Sequence, residues 1–211
     1  MIKYNILIFL CFTPIWSVEL IDDKSFKEKY EKALKDAQDN PYALFSATGV
    51  CMSAREYQKG EDIILSLIKD HPVNRPIIYS NLSVFQGKLK KYDDAIKSAD
   101  LALSLSPRDM HALAVKASWL YEKGEKDIGL KLFESIQVPI AGSFDESFYY
   151  LCKSCFFASV GDVEILKNTI IKFLSFRDND AGLEFFRRDI VFDPYRDKLW
   201  FINLVGETLK E

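Results

Sequence analysis

"YDDAIKSADLALSLSP", residues 92–107, decides the fold. Ala95, Ala99 and Ala102 recur at spacings of four and three, which puts them on one face of a helix. Three small side chains in a row let a second helix come close, and Pro107 ends the run. Just upstream, "YSNLSVF" (79–85) sets Tyr79, Leu82 and Ser83 at i, i+3 and i+4, again one face. Two helices with matching stripes, separated by a short polar stretch, read as an antiparallel pair.

The same arrangement occurs four times. A large apolar residue opens each first helix at Leu44, Tyr79, Leu113 and Tyr150, at spacings of 35, 34 and 37 residues. Four residues later comes a small or short side chain: Thr48, Ser83, Ala117 and Ser154. Each second helix has a matching position at Gly60, Ala95, Gly129 and, larger, Leu166. Four residues on stand Ile64, Ala99, Phe133 and Ile170. Gly124-Glu125 and Gly161-Asp162 mark turns between paired helices. Several slots recurring together at one period are the signature of a repeat architecture.

At these residues the chain resembles the tetratricopeptide repeat (TPR) family, whose unit is a helix–turn–helix of about 34 residues. The resemblance covers residues 41–178, as units 41–74, 76–109, 110–143 and 147–178. It departs from the family pattern where Lys116 and Lys153 replace the usual leucine and Cys51 and Gln86 the usual tyrosine. What it implies is an all-α fold: a right-handed superhelical solenoid of antiparallel helix pairs with capping helices at both ends. It also implies a concave groove lined by the first helices that holds a peptide or protein segment. By this resemblance the groove residues are Tyr42, Phe45, Ile77, Asn81, Val84, His111, Ala114, Ser118, Tyr121, Phe148, Leu151 and Cys155, with Ser80 beside them. Family members that grip a C-terminal carboxylate do so with lysines, asparagines and an arginine. The matching positions here are Phe45, Gly49, Asn81, His111 and Val115, of which only Asn81 fits, so no carboxylate clamp is expected. The expected ligand is an extended apolar segment, or the chain's own terminal helix, contacting Phe45, Tyr121 and Leu151.

Helix punctuation agrees with the units. Asn40-Pro41 is an N-cap with proline at the first helical position. Asp109 is placed to cap the third unit, and Ser143…Glu146 has capping-box spacing. Residues 18–40 contain a charged amphipathic helix, "SFKEKYEKALKDAQ", with Phe26, Tyr30, Ala33, Leu34 and Ala37 on one stripe. Within 179–211, "AGLEFFRRD" reads as a short helix. Asp193-Pro194 reads as the start of another, which brings Trp200, Phe201, Leu204 and Val205 over the open end of the core. Terminal units need such covers because each unit buries its apolar face only against its neighbours.

The first residues, "MIKYNILIFLCFTPIWSVEL", have a basic Lys3, an apolar run and a small Ser17, the layout of a secretory signal peptide over 1–17. An uncleaved anchor in the inner membrane formed by residues 4–16 is the alternative, given the bulky Ile15 and Trp16 before the cut. Export to the periplasm or cell envelope follows from either. Contact with the membrane is expected only if the segment is uncleaved. With Lys+Arg 28 against Asp+Glu 31 and no basic tract, the charge pattern of a nucleic-acid binder is missing.

The chain has no phosphate-binding glycine motif, no H-E-x-x-H and no nucleophile elbow. Its two histidines, His71 and His111, are not at ligand spacing. Cys152-Lys-Ser-Cys155 poses the sharpest question: a redox pair, half a zinc site, or packing. Residues i and i+3 on a helix have Cβ atoms about 5–6 Å apart, whereas a disulfide wants about 3.5–4.5 Å. A redox pair sits at a helix N-terminus, and this pair lies in the third turn of a helix starting after Ser143. Zinc needs four ligands, and no second such pair exists. The pair reads as two small polarizable residues on the groove side. No catalytic residue, metal, cofactor or small-molecule substrate is expected. The function expected is a non-catalytic scaffold or assembly module with a protein partner. The rivals are a regulatory or anchoring subunit of an enzyme complex and a thiol-redox protein.

Overall fold

The computed structural model describes residues 28, 30–32, 35, 44–70, 74–176, 183, 185–187 and 189–206. The signal segment 1–17, the Asn40-Pro41 cap, His71, Pro72 and most of the helix expected at 25–38 lie outside the described residues. The described residues are mostly helical and form no strand, and consecutive helices pack as pairs. These are α1 (Leu44–Ser53) with α2 (Tyr57–Asp70), and α3 (Pro76–Lys88) with α4 (Tyr92–Leu105). Then come α5 (Met110–Lys123), α6 (Lys126–Glu134), α7 (Phe144–Val160) and α8 (Val163–Leu174). A 3-10 helix η1 (Ile190–Tyr195) and α9 (Leu199–Val205) follow. The chain divides into two compact units between Ala112 and Leu113, so the first turn of α5 belongs to the first.

One device recurs at every turn within a pair. A residue one or two places beyond the first helix has a left-handed backbone: Arg55 (φ 58°), Lys90 (φ 61°), Gly124 (φ 106°) and Gly161 (φ 83°). Their spacings, 35, 34 and 37, are those of the apolar residues that open the units. In the first three turns the bonding is a Schellman motif. The amides of Glu56, Lys91 and Glu125 donate to the carbonyls of Cys51, Gln86 and Leu120 at 2.8, 2.9 and 2.9 Å. The amides of Arg55, Lys90 and Gly124 donate to those of Met52, Gly87 and Tyr121 at 3.1, 2.9 and 3.0 Å. In the fourth turn a single bond, from the Gly161 amide to Phe157 O (3.0 Å), closes the helix. Asp162 then caps α8 by accepting from the Ile165 amide at 3.0 Å.

In the first unit the core joins α1, α2 and α3 through Ala47, Cys51, Ile63, Ile64, Leu67, Ile78, Leu82 and Phe85. Tyr30, the described member of the stripe expected at 25–38, packs against this cluster. Thr48 and Ser83 are buried, as the short slot on the first helix requires. Gly60 is buried because a Cβ there would land on the Phe85 ring, so α2 meets α3 at bare backbone. Ala95, Ala99 and Ala102 of α4 are fully buried. Gln86, in the tyrosine slot, is buried and accepts a hydrogen bond from Ser98 Oγ at 2.7 Å.

In the second unit the slots are filled differently. A Cβ on Gly129 would stand 2.7 Å from the Ala117 carbonyl oxygen and 2.9 Å from the Tyr121 nitrogen, so α5 and α6 touch backbone to backbone. Phe133 stacks on Phe156 with ring centroids 4.4 Å apart, and Phe157 meets Phe133 edge-on at 5.9 Å. Ser143 caps α7 by accepting from the Glu146 amide at 3.1 Å. The Glu146 carboxylate accepts from the Gly142 amide at 2.6 Å, one residue earlier than in a regular capping box. α7 begins at Phe144, directly after this cap, and α8 ends at Leu174.

The C-terminal segment departs further from expectation. The helix read from Asp193-Pro194 begins instead at Leu199. Asp189 accepts from the Val191 amide and starts the 3-10 helix, which carries Pro194 inside it. The Tyr195 hydroxyl then donates to Ala158 O at 2.8 Å and fixes that turn against the end of α7. Of the four residues expected to cover the core, Phe201 and Val205 are buried, and Trp200 and Leu204 half-buried. A chain of rings runs edge-to-face through Phe173–Phe186 (5.3 Å) and Phe186–Phe192 (5.1 Å), and Phe192 then stacks on Phe201 (6.0 Å). Phe185, Phe186 and Arg187 are helical, in line with the short helix expected there.

Candidate interaction face

The residues expected to line a groove fall into two sets, one in each unit. In the first, Ile77, Asn81 and Val84 lie on one stripe of α3 at spacings of four and three, and all three are half-buried. His111, half-buried, stands at the second position of α5, behind the Asp109 cap that accepts from the Ala112 amide at 2.8 Å. Its Nδ1 lies 3.2 Å from Ser80 Oγ. Ser80 is fully buried, and its hydroxyl is also within 3.3 Å of Pro76 O and 3.2 Å of Ile77 O. A hydroxyl has one proton. With that proton on a main-chain carbonyl, the histidine must carry its own proton on Nδ1 and donate to the serine. Burial pushes the His111 pKa below its ordinary value, and the Asp109 carboxylate opposes the shift. Tyr42 and the side chain of Phe45 lie outside the described residues. Gly49 is buried.

In the second unit the set is mixed. Ala114 and Leu151 are buried, so these two contribute to the core rather than to an open face. Ser118 is half-buried and donates to Ala114 O at 3.0 Å. Tyr121 is half-buried and occupied on three sides. Its hydroxyl donates to Val160 O at 3.4 Å, its ring meets Phe156 edge-on at 6.0 Å, and Lys126 Nζ stands 5.3 Å from its centroid. A Tyr121 substitution would therefore disturb the junction of α5 and α7 as well as any ligand. Phe148 and Cys155 are half-buried on α7.

None of the three described cysteines is in a disulfide. Cys152 and Cys155 are half-buried at the ninth and twelfth positions of α7, well inside the helix. Cys51 is fully buried, and burial pushes its thiol up to about 12. It stays protonated and unreactive at neutral pH. Among the described residues no group of three or more His, Cys, Asp and Glu could hold a metal ion. No helix among them is long and apolar enough to cross a membrane.

Two buried acids, Glu61 and Glu146, are held by specific partners. Glu61, 4% exposed, sits 2.6 Å from Lys91 Nζ and accepts from Gln58 Nε2 at 3.0 Å. Glu146 is held by the Gly142 amide, with Lys172 Nζ at 3.7 Å. Both tie a helix start to a neighbouring segment. The capping-box spacing pointed to Glu146. Nothing local pointed to Glu61, whose cation lies thirty residues away.

No protein-family model matches the chain, and no curated protein matches it. The resemblance to TPR proteins rests on the repeated slots.

Proposed function

We propose that this chain is a non-catalytic interaction module of tetratricopeptide type. Its helix pairs stack as a right-handed superhelix, and its first helices bind an extended segment of a protein partner. The observation that carries the reading is the coincidence of three features at one period: a buried short side chain on each first helix, a buried slot on each second helix, and a left-handed residue in the turn between. Helix pairs built on such slots turn the remaining stripe of the first helix outward. There the half-buried positions Ile77, Asn81, Val84, Phe148 and Cys155 are uncharged. An uncharged stripe favours an apolar segment over an acidic or phosphorylated one. The signal-like pattern of residues 1–17 supports a location in the cell envelope. A mature chain starting at Val18 supports release, and an intact Met1 supports anchoring.

The test is site-specific photo-crosslinking in cells, with benzoylphenylalanine in place of Val84 or Phe148 on first helices and of Leu101 or Ile128 on second helices. The latter two are exposed. Circular dichroism checks that each variant is folded. The reading expects adducts of defined mass from the first-helix positions and none from the second. Adducts from Leu101 and Ile128 alone, or equally from all four, would falsify it.

A further inference from the structure

No further inference is drawn: the strongest candidate, the His111–Ser80 pair that ties the start of α5 to the middle of α3, is singled out only by the lowered pKa of the histidine, and nothing else in the structure shows that it does more than join two helices.

Discussion

The two units are built on the same slots and filled with different side chains. In the first, the second helix of the α3–α4 pair presents three fully buried alanines, Ala95, Ala99 and Ala102. In the second, the core includes seven buried phenylalanines, Phe133, Phe156, Phe157, Phe173, Phe186, Phe192 and Phe201. The α3–α4 pair gains contact by bringing its helices close over small side chains; the second unit does so only where Gly129 lets α5 and α6 touch, and fills the space around α7 and the C-terminal segment with rings. A ring buries more area than a methyl group, and the two errors possible at such sites differ in size. Phe156→Ala should lower the unfolding free energy by about 3–5 kcal/mol, the range for a buried phenylalanine. Ala99→Leu, which overfills a close helix contact, should cost about 1–3 kcal/mol. Urea unfolding of the whole chain, followed by far-UV circular dichroism, gives both numbers. If Ala99→Leu proved as damaging as Phe156→Ala, the contrast in packing would be wrong.

The turns differ in a second way. Arg55 and Lys90 occupy left-handed backbone in the first unit, whereas Gly124 and Gly161 do so in the second. A residue with a Cβ is strained there by roughly 1–2 kcal/mol, and glycine is not. Glycine gives some of that back as chain entropy, about 0.5–1 kcal/mol. Gly124→Ala should therefore destabilise by about 1 kcal/mol, with nothing within 4 Å of the added Cβ to confuse the reading. Lys90→Gly should stabilise by about 0.5–1 kcal/mol, a gain unavailable at the glycine turns. Thermal melts of the two variants side by side decide it. Opposite signs support the assignment of strain to the first unit, and equal signs remove it.

Much of the fold was legible because its signals are local. Ala95, Ala99 and Ala102 declare one helical face without help from the rest of the chain, and Ser143 with Glu146 declares a helix start. The turns at Gly124 and Gly161 could be read from glycine. Those at Arg55 and Lys90 could not, since neither residue type favours a left-handed backbone, and only the bonding to Cys51, Met52, Gln86 and Gly87 reveals them. The last helix was misplaced by five residues because Asp193-Pro194 is a good helix start in isolation. The Tyr195 bond to Ala158, distant in sequence, holds that stretch as a 3-10 turn instead. The candidate face was legible only as stripes. Helical spacing put Ile77, Asn81 and Val84 together correctly, but it could not separate buried Ala114 and Leu151 from half-buried Ser118 and Cys155. That distinction depends on what the neighbouring helices cover. The same reason hid the burial of Ser80 beneath His111.

The smallest expected effect compares the same histidine in two charge states. His111 stands in the first turn of α5, where the helix dipole disfavours a cation, and burial disfavours it further. Its folded pKa lies below 6.5. The unfolded chain therefore binds the proton more readily than the folded one. The stability contributed by neutral His111 is fully present above about pH 6.5 and declines as pH falls from there through the depressed folded value. Asp109 favours the cation and limits the loss. His111→Asn cannot titrate, so its melting temperature should fall less than that of the unmodified chain between pH 7 and pH 5. Carboxylates other than Asp109 contribute equally to both proteins and cancel in the difference. A difference that stays flat across this window would mean that His111 is as easily protonated in the fold as in the unfolded chain. A difference of the opposite sign would mean that Asp109, not burial, governs it.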